Sequence, residues 1–425
     1  MKSIDYNLRI IDKTVEEYLS TFGAVCIEGP KWCGKTWTSA YHSKSKIFLG
    51  DPANNFQNRQ LAQMSPELIL EGSIPRLIDE WQEVPPIWDA VRHAVDQTSE
   101  KGLYILTGSS TPNHKGIMHS GAGRIAKLRM RPMSLYESKD SDGSISLEKL
   151  CNEEFTPRIY DDVDINNLAN LIIRGGWPGS INIPAAKSHL LPKEYIKAIV
   201  DDDMYRLDNI ERNKSKIMLL LRSLARNEST TVSYKTLQND IKNCEDETLD
   251  SNTIASYLDI FNRLFLIDNQ PPFSTNIRSS VRVKQAEKIH FSDPSLACAL
   301  LKLTPKSLIG DLKTFGFLFE ALCERDLKIY AESFGASLYH YQDYKNREID
   351  AIVQLKDGRW CAFEIKLGAN QIEDAAKNLT TLRDAISSEK DGIPPSVLCV
   401  ICGMSKAAYK REDGVYVVPI TSLKP

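Results

Sequence analysis

The sequence predicts an α/β protein built as three successive domains, and three local patterns carry that prediction. An apolar run, Ala24–Glu28, passes through a glycine-bearing loop directly into a helical pattern. A mostly helical stretch follows at roughly 190–265. Beyond 305 come a helix, strand-like runs at 349–355 and 359–365, a helix near 371–388, and further strands at 397–401 and 415–418. The expected boundaries are 1–187, 188–300 and 301–425.

In the first segment, residues 6–20 have helical spacing, and 46–49, 76–79 and 103–107 join 24–28 as strand candidates. Strands separated by helical stretches argue for a parallel sheet. The polar stretch 138–146 reads as a surface loop near the end of this domain. Composition is that of an ordinary globular chain: 42% hydrophobic, 26% charged, net charge −3 over 425 residues. That balance excludes a global electrostatic pull on nucleic acid, so any such contact needs a local basic surface. No run of eighteen apolar residues suggests a membrane span, and Met1-Lys2-Ser3-Ile4-Asp5-Tyr6 lacks the apolar core of a secretory signal. The nine cysteines lack paired metal-ligand spacing; Cys399 and Cys402 sit in an apolar strand-like run. Buried thiols in a reducing cytosol are the expectation.

Gly29-Pro30-Lys31-Trp32-Cys33-Gly34-Lys35-Thr36 has the spacing of a phosphate-binding loop, with Trp37 inside the following helix. Glycines let consecutive backbone N–H groups surround phosphate oxygens, Lys35 would reach the β- and γ-phosphates, and the Thr36 hydroxyl would ligate Mg²⁺. The helix N-terminus adds its dipole to the same anion. The bound nucleotide is expected to be ATP. Asp79 and Glu80, ending the run Leu77-Ile78-Asp79-Glu80, would support the metal and polarise the attacking water respectively. An acidic pair capping the next helix is the structural alternative. After Leu103-Tyr104-Ile105-Leu106, either Thr107 or Ser109 could sense the γ-phosphate. Arg124, following Gly123, is the candidate charge-neutralising arginine, in its own site or a neighbouring subunit's, with Arg129 and Arg131 as alternatives.

These motifs, with Trp81-Gln82-Glu83-Val84-Pro85, Gly175-Gly176-Trp177-Pro178, Tyr257-Leu258 through Leu266-Ile267 and Lys288-Ile289-His290-Phe291-Ser292-Asp293, resemble a prokaryotic AAA-type P-loop ATPase family. In that family an AAA_14-like ATPase domain is followed by a DUF4143-type region containing a winged helix and a nuclease-like fold. The resemblance implies a cytoplasmic ATPase and a homo-oligomer, a hexameric ring among the forms such ATPases take.

In the middle segment, Ile254, Tyr257, Leu258, Phe261 and Leu264 have helical spacing after the start at Ser251-Asn252-Thr253. With the stretch to Phe273 this is similar to the recognition helix and hairpin of a winged helix. Such a helix would present Thr253, Ser256, Asn262 and Arg263 to a DNA groove, with Arg278, Arg282 and Lys284 on phosphates. Asp259 on the same helix would repel the backbone, and protein docking is the competing use.

The last segment carries Asp350, Glu364 and Lys366 in a D-x₁₃-E-x-K pattern. Glu364 and Lys366 share a strand face, and Asp350 can oppose them across a hairpin near Lys356-Asp357-Gly358-Arg359. Two carboxylates beside a lysine can hold Mg²⁺ and position hydroxide against a phosphodiester, with Glu320 completing the shell. The set is similar to the PD-(D/E)xK nuclease superfamily, a restriction-endonuclease-like α/β fold; a surface ion pair is the plain alternative. Two functions are therefore expected to compete: an ATPase driving a DNA-binding or DNA-processing nuclease-like domain, and a regulatory ATPase switch that docks a partner without cutting.

Overall fold

The computed structural model describes residues 6–111, 118–161, 163–207, 210–273, 286–342, 347–388 and 392–425. Two compact units organise the chain: the first holds residues 1–132, 201–212 and 259–266, the second 133–200, 213–258 and 267–425.

The first unit is built on a five-stranded, wholly parallel sheet of order β2-β3-β4-β1-β5. Its strands are β1 Ala24–Glu28, β2 Ser45–Phe48, β3 Arg76–Asp79, β4 Tyr104–Gly108 and β5 Ile125–Arg129. Both faces are covered, which is why β1 and β4 read as continuous apolar runs rather than alternating ones. Val25, Ile27, Leu77 and Ile105 pack with Val15 on one side. Ala24, Cys26, Ile78 and Leu106 pack with Ile87, Trp88 and Val91 on the other. Ala24 pairs with Tyr104 and Glu28 with Gly108, so β1, β3 and β4 end together and their carboxyl ends share one rim.

In the second unit a seven-stranded mixed sheet has the order β7-β12-β13-β11-β10-β9-β8. These strands are β7 Arg158–Ile159, β8 Ser337–Gln342, β9 Glu348–Gln354, β10 Trp360–Lys366, β11 Val397–Cys402, β12 Ala407–Lys410 and β13 Tyr416–Pro419. A separate small ladder joins β6, Ile145–Ser146, to β14, Leu423–Lys424. The helix Ile372–Ser387 lays Ala375, Ala376, Leu379 and Leu382 against Ile352, Trp360, Ala362, Leu398 and Val400. The helical stretch includes Lys214–Arg226, Tyr234–Glu245 and, up to residue 258, the helix Ser251–Arg263. Isolated bridges Thr230↔Ile289, Ile267↔Phe291 and Gln270↔Lys288 connect short extended segments beside them.

The packing divides the chain differently from the three expected segments. Residues 133–187 fall in the second unit because their backbone is tied there by buried charges. Asp326 accepts the Leu135 N–H at 2.8 Å, and Asp293 accepts the Gly176 N–H at 2.9 Å. Arg325 joins the two carboxylates, with Nη1 at 2.8 Å from Asp293 and Nη2 at 2.7 Å from Asp326. The polar stretch expected as a surface loop is also partly buried: Ser138 and Ser141 are shielded, and Ser141 Oγ donates to the Leu423 carbonyl at 2.6 Å.

Removing Arg325 would leave Asp293 and Asp326 as uncompensated buried charges. Arg325→Met is expected to destabilise the second unit by about 3–5 kcal/mol, read as a lower urea midpoint.

Candidate functional site

The phosphate loop lies where the carboxyl end of β1 meets the helix Lys35–Tyr41. Gly29 passes so close to β5's continuation that a Cβ would come within 2.1 Å of the Met130 carbonyl oxygen. Gly34 caps the helix with φ at 107°, a left-handed conformation open to glycine. Lys35 is buried, and its Nζ donates to the Pro30 carbonyl at 2.8 Å, inside the loop's own curve. Cys33 is buried too, its thiol facing the Met130 carbonyl at 3.7 Å. Trp32 and Trp37 are exposed, and Lys31 forms an ion pair with buried Asp203.

Thr36, Asp79 and Thr107 meet on this rim. Thr36 Oγ1 donates to Asp79 Oδ1 at 2.9 Å, and Thr107 Oγ1 donates to the same oxygen at 2.6 Å. Burial pushes the Asp79 carboxyl above the usual carboxylate range, with the Thr107 hydrogen bond opposing the rise. The Glu80 N–H donates to Thr107 Oγ1 at 3.0 Å, so one hydroxyl braces both acidic residues. Glu80 has left-handed backbone, φ 58°, and its Oε2 accepts from Ser109 Oγ at 2.9 Å and from Gln82 Nε2. Thr107 and Ser109 are thus positioned as supports of Asp79 and Glu80. A threonine hydroxyl bonded to a buried carboxylate beside a glycine loop is a donor set that suits Mg²⁺.

Arg124 is at the opposite end of the sheet. Its carbonyl accepts the Ala24 N–H at the start of β1, roughly 13 Å along the strand from the loop. Its guanidinium pairs with Asp96 at 2.7 Å, holding that carboxyl below its ordinary range. Arg124 therefore does not complete the site of its own chain. Arg129 is level with Glu28, and its guanidinium lies 4.1 Å from the centroid of the Phe265 ring.

Sequence reasoning passed over Arg9, whose Nη1 donates to the Cys33 carbonyl at 2.8 Å and Nη2 to that of Arg131 at 2.9 Å. It also passed over Gln82, since nothing in its spacing points to Glu80.

The C-terminal set does assemble. The antiparallel β9–β10 ladder runs to Ala351↔Phe363, so the next step sets Asp350 beside Glu364. Lys366 Nζ lies 3.0 Å from Asp350 Oδ2 and 2.6 Å from Glu364 Oε2. Asp350 Oδ2 also accepts the Ile365 N–H at 2.7 Å. Glu320 is elsewhere engaged: Lys288 Nζ is 2.6 Å from its Oε1 and 3.5 Å from Glu324 Oε1. Burial raises Glu364 and Glu320 each to about 8. Burial works against Asp350 as well, but Lys366 and Lys288 hold it below its ordinary value.

The expected metal shell of Glu320, Asp350 and Glu364 therefore needs correction. Among the described residues no three His, Cys, Asp or Glu side chains group as metal ligands, and ammonium groups already answer these carboxylates. The residues present do not fit a divalent ion. Lys288 had one sequence signal: charged Lys288 and His290 alternate with apolar Ile289 and Phe291 in a buried extended segment.

Of the residues expected on DNA, Ser256 is exposed on the helix Ser251–Arg263. Arg263 is committed internally: its Nε donates to the Thr111 carbonyl at 3.1 Å, and Nη1 is 3.8 Å from Asp259. Lys284, Arg278 and Arg282 lie outside the described residues.

With this geometry in place, residues 21–139 match the family model of an AAA domain. That match, with the phosphate loop at the end of β1, makes the N-terminal segment similar to an AAA-type P-loop ATPase domain. Residues 165–307 match a domain of unknown function, DUF8612, and 315–423 another, DUF4143. The Walker-type ATPase PABY2304 of Pyrococcus abyssi is 14% identical, with 68% of this chain and 94% of that one covered and a TM-score of 0.41. Cdc6p of Pyrobaculum aerophilum is 12% identical, with 72% and 97% covered and a TM-score of 0.22. No curated protein matches the chain. Among the described residues no helix is long and apolar enough to cross a membrane.

A carboxyl whose folded pKa stands above its unfolded one supports the fold at low pH, and that support is lost as pH rises through the folded value. Asp79→Asn keeps an acceptor for Thr36 and Thr107 without the charge. Nucleotide-free Asp79→Asn is expected to melt higher than the parent near neutral pH. The gap should close as pH falls toward 3.8, in a pH series of thermal melts.

Proposed function

We propose that the chain binds and hydrolyses ATP in a Mg²⁺-dependent manner at the Thr36–Asp79–Thr107 rim. The observation that carries this reading is the meeting of a glycine loop, a threonine hydroxyl and a buried carboxylate on one sheet edge. Backbone N–H groups of the loop and Lys35 would hold the phosphates. Thr36 and Asp79 would hold Mg²⁺, which when bound supplies charge neutralisation between the β- and γ-phosphates. Glu80 would orient the attacking water and accept its proton, once Ser109 and Gln82 release its carboxylate. Arg124, remote from its own loop, fits a role in a neighbouring subunit of a homo-oligomer.

The second unit would couple that cycle to DNA, through the helix bearing Ser256 and the nuclease-like strand pair of Asp350 and Glu364. The regulatory reading, a switch that docks a partner and cuts nothing, is favoured by one observation: Lys288 and Lys366 already neutralise the acidic set. A cytoplasmic setting suits the buried free thiols.

Lys35→Ala is expected to abolish ATP turnover in a phosphate-release assay; turnover at the parent rate would overturn the ATPase reading. Glu80→Gln should retain ATP in filter binding while losing about 10²–10⁴-fold in rate. Measuring turnover with duplex, single-stranded and branched DNA separates the two couplings. Stimulation together with Mg²⁺- or Mn²⁺-dependent products that Asp350→Ala abolishes would establish DNA processing. Stimulation without products fits DNA binding alone, and an unaffected rate fits the switch.

A further inference from the structure

Several charged side chains of the second unit gather around Lys288. Glu320 and Glu324 stand a turn apart on the helix Leu312–Ser333, so both carboxylates point from one face. Opposite them, Lys288 and His290 project from a short extended segment, two residues apart and therefore on the same side. That segment is anchored: Lys288 N–H donates to the Gln270 carbonyl at 3.0 Å, and Gln270 N–H to the Lys288 carbonyl at 2.9 Å.

An ammonium has three protons to place. Those of Lys288 have three acceptors: Glu320 Oε1 at 2.6 Å, Glu324 Oε1 at 3.5 Å and the Asp350 carbonyl at 3.4 Å. Lys288 is only 8% exposed, and the same carboxylates keep it cationic: burial pulls its pKa down, and Glu320, Glu324 and Asp350 more than reverse that. A long, flexible side chain fixed by three acceptors and a backbone bridge is a built-in component of the cluster. A divalent ion drawn to Glu320 and the Asp350 carbonyl would meet this fixed positive charge at contact distance.

We propose that Lys288 is a tethered cation that takes the position a divalent ion would need in the C-terminal carboxylate cluster, excluding one while it stays there. The proposal rests on the nuclease-like reading of that cluster and gives it a regulation: metal entry requires withdrawal of Lys288. Lys366 would keep its place between Asp350 and Glu364 in either state.

The test is Mn²⁺ titration followed by electron paramagnetic resonance. It uses the full nucleotide-free chain in a Thr36→Ala background, so that the phosphate-loop site does not contribute. The parent is expected to hold no stoichiometric Mn²⁺ at the cluster. Lys288→Met should gain one ion per chain, at least ten-fold tighter than any parent binding, and Glu320→Gln in addition should remove it. Mn²⁺ should raise the melting temperature of Lys288→Met and leave that of Lys288→Arg unchanged. A parent that binds one Mn²⁺ per chain and loses it on Asp350→Asn would overturn the proposal. So would a folded Lys288→Met that binds no tighter; Lys288→Gln is read identically if the methionine variant does not fold. Because the readout is neither turnover nor cleavage, failure of the ATPase reading leaves this result unaffected. Mn²⁺ capture by Lys288→Met without DNA products would separate the proposal from the nuclease reading.

Discussion

Asp79 is only 8% exposed at the end of β3, where an ionised carboxylate is costly unless its surroundings answer it. Here the answer comes from two neutral hydroxyls, those of Thr36 and Thr107, which satisfy an oxygen without cancelling its charge. The residual negative charge is what a metal–phosphate complex would use. The remaining parts of the rim follow from the same demand. Thr107 must sit at the end of β4, β4 must end level with β3, and Glu80 must turn through a left-handed residue to bring its N–H onto Thr107.

The second unit meets the same demand in the opposite way. Glu364 and Glu324 are buried, and Asp350 and Glu320 half-buried, against Lys366 and Lys288, so these carboxyl groups are met by ammonium groups. Further along, His290 bridges Glu324 and Glu228, and the carboxylates lift it to about 9 against the effect of burial. Such pairs are hard to break singly, because each loss exposes an unpaired ion to a low-dielectric interior. One unit keeps its carboxylate available, and the other keeps its carboxylates occupied.

Much of this was legible in the sequence where local chemistry and burial agree. β1 and β3 fall at their expected residues because their runs end abruptly in Gly29 and Glu80. β9, β10 and β11 fall within a residue or so of expectation, since their apolar runs are bounded by Lys356-Asp357-Gly358-Arg359 and the helix Ile372–Ser387. β7, β12 and β8 carry no clear sequence signal: the first two are only two and four residues long, and β8 mixes Tyr339, His340 and Tyr341 without clean alternation. The ion-pair partners were illegible for another reason. Lys288 and Glu320, or Arg325 and Asp293, are 32 residues apart, and only the tertiary fold decides which buried charges meet.

The first unit recruits residues 201–212 and 259–266 from far down the chain. Asp203 supplies the partner of Lys31 in the phosphate loop, Phe265 lies against Arg129, and the Arg263 backbone pairs with that of Thr111. A fragment cut after the last residue of the AAA-domain match would therefore lack three of its own packing contacts. The electrostatic setting of the phosphate loop is thus completed by a residue 172 positions further along the chain.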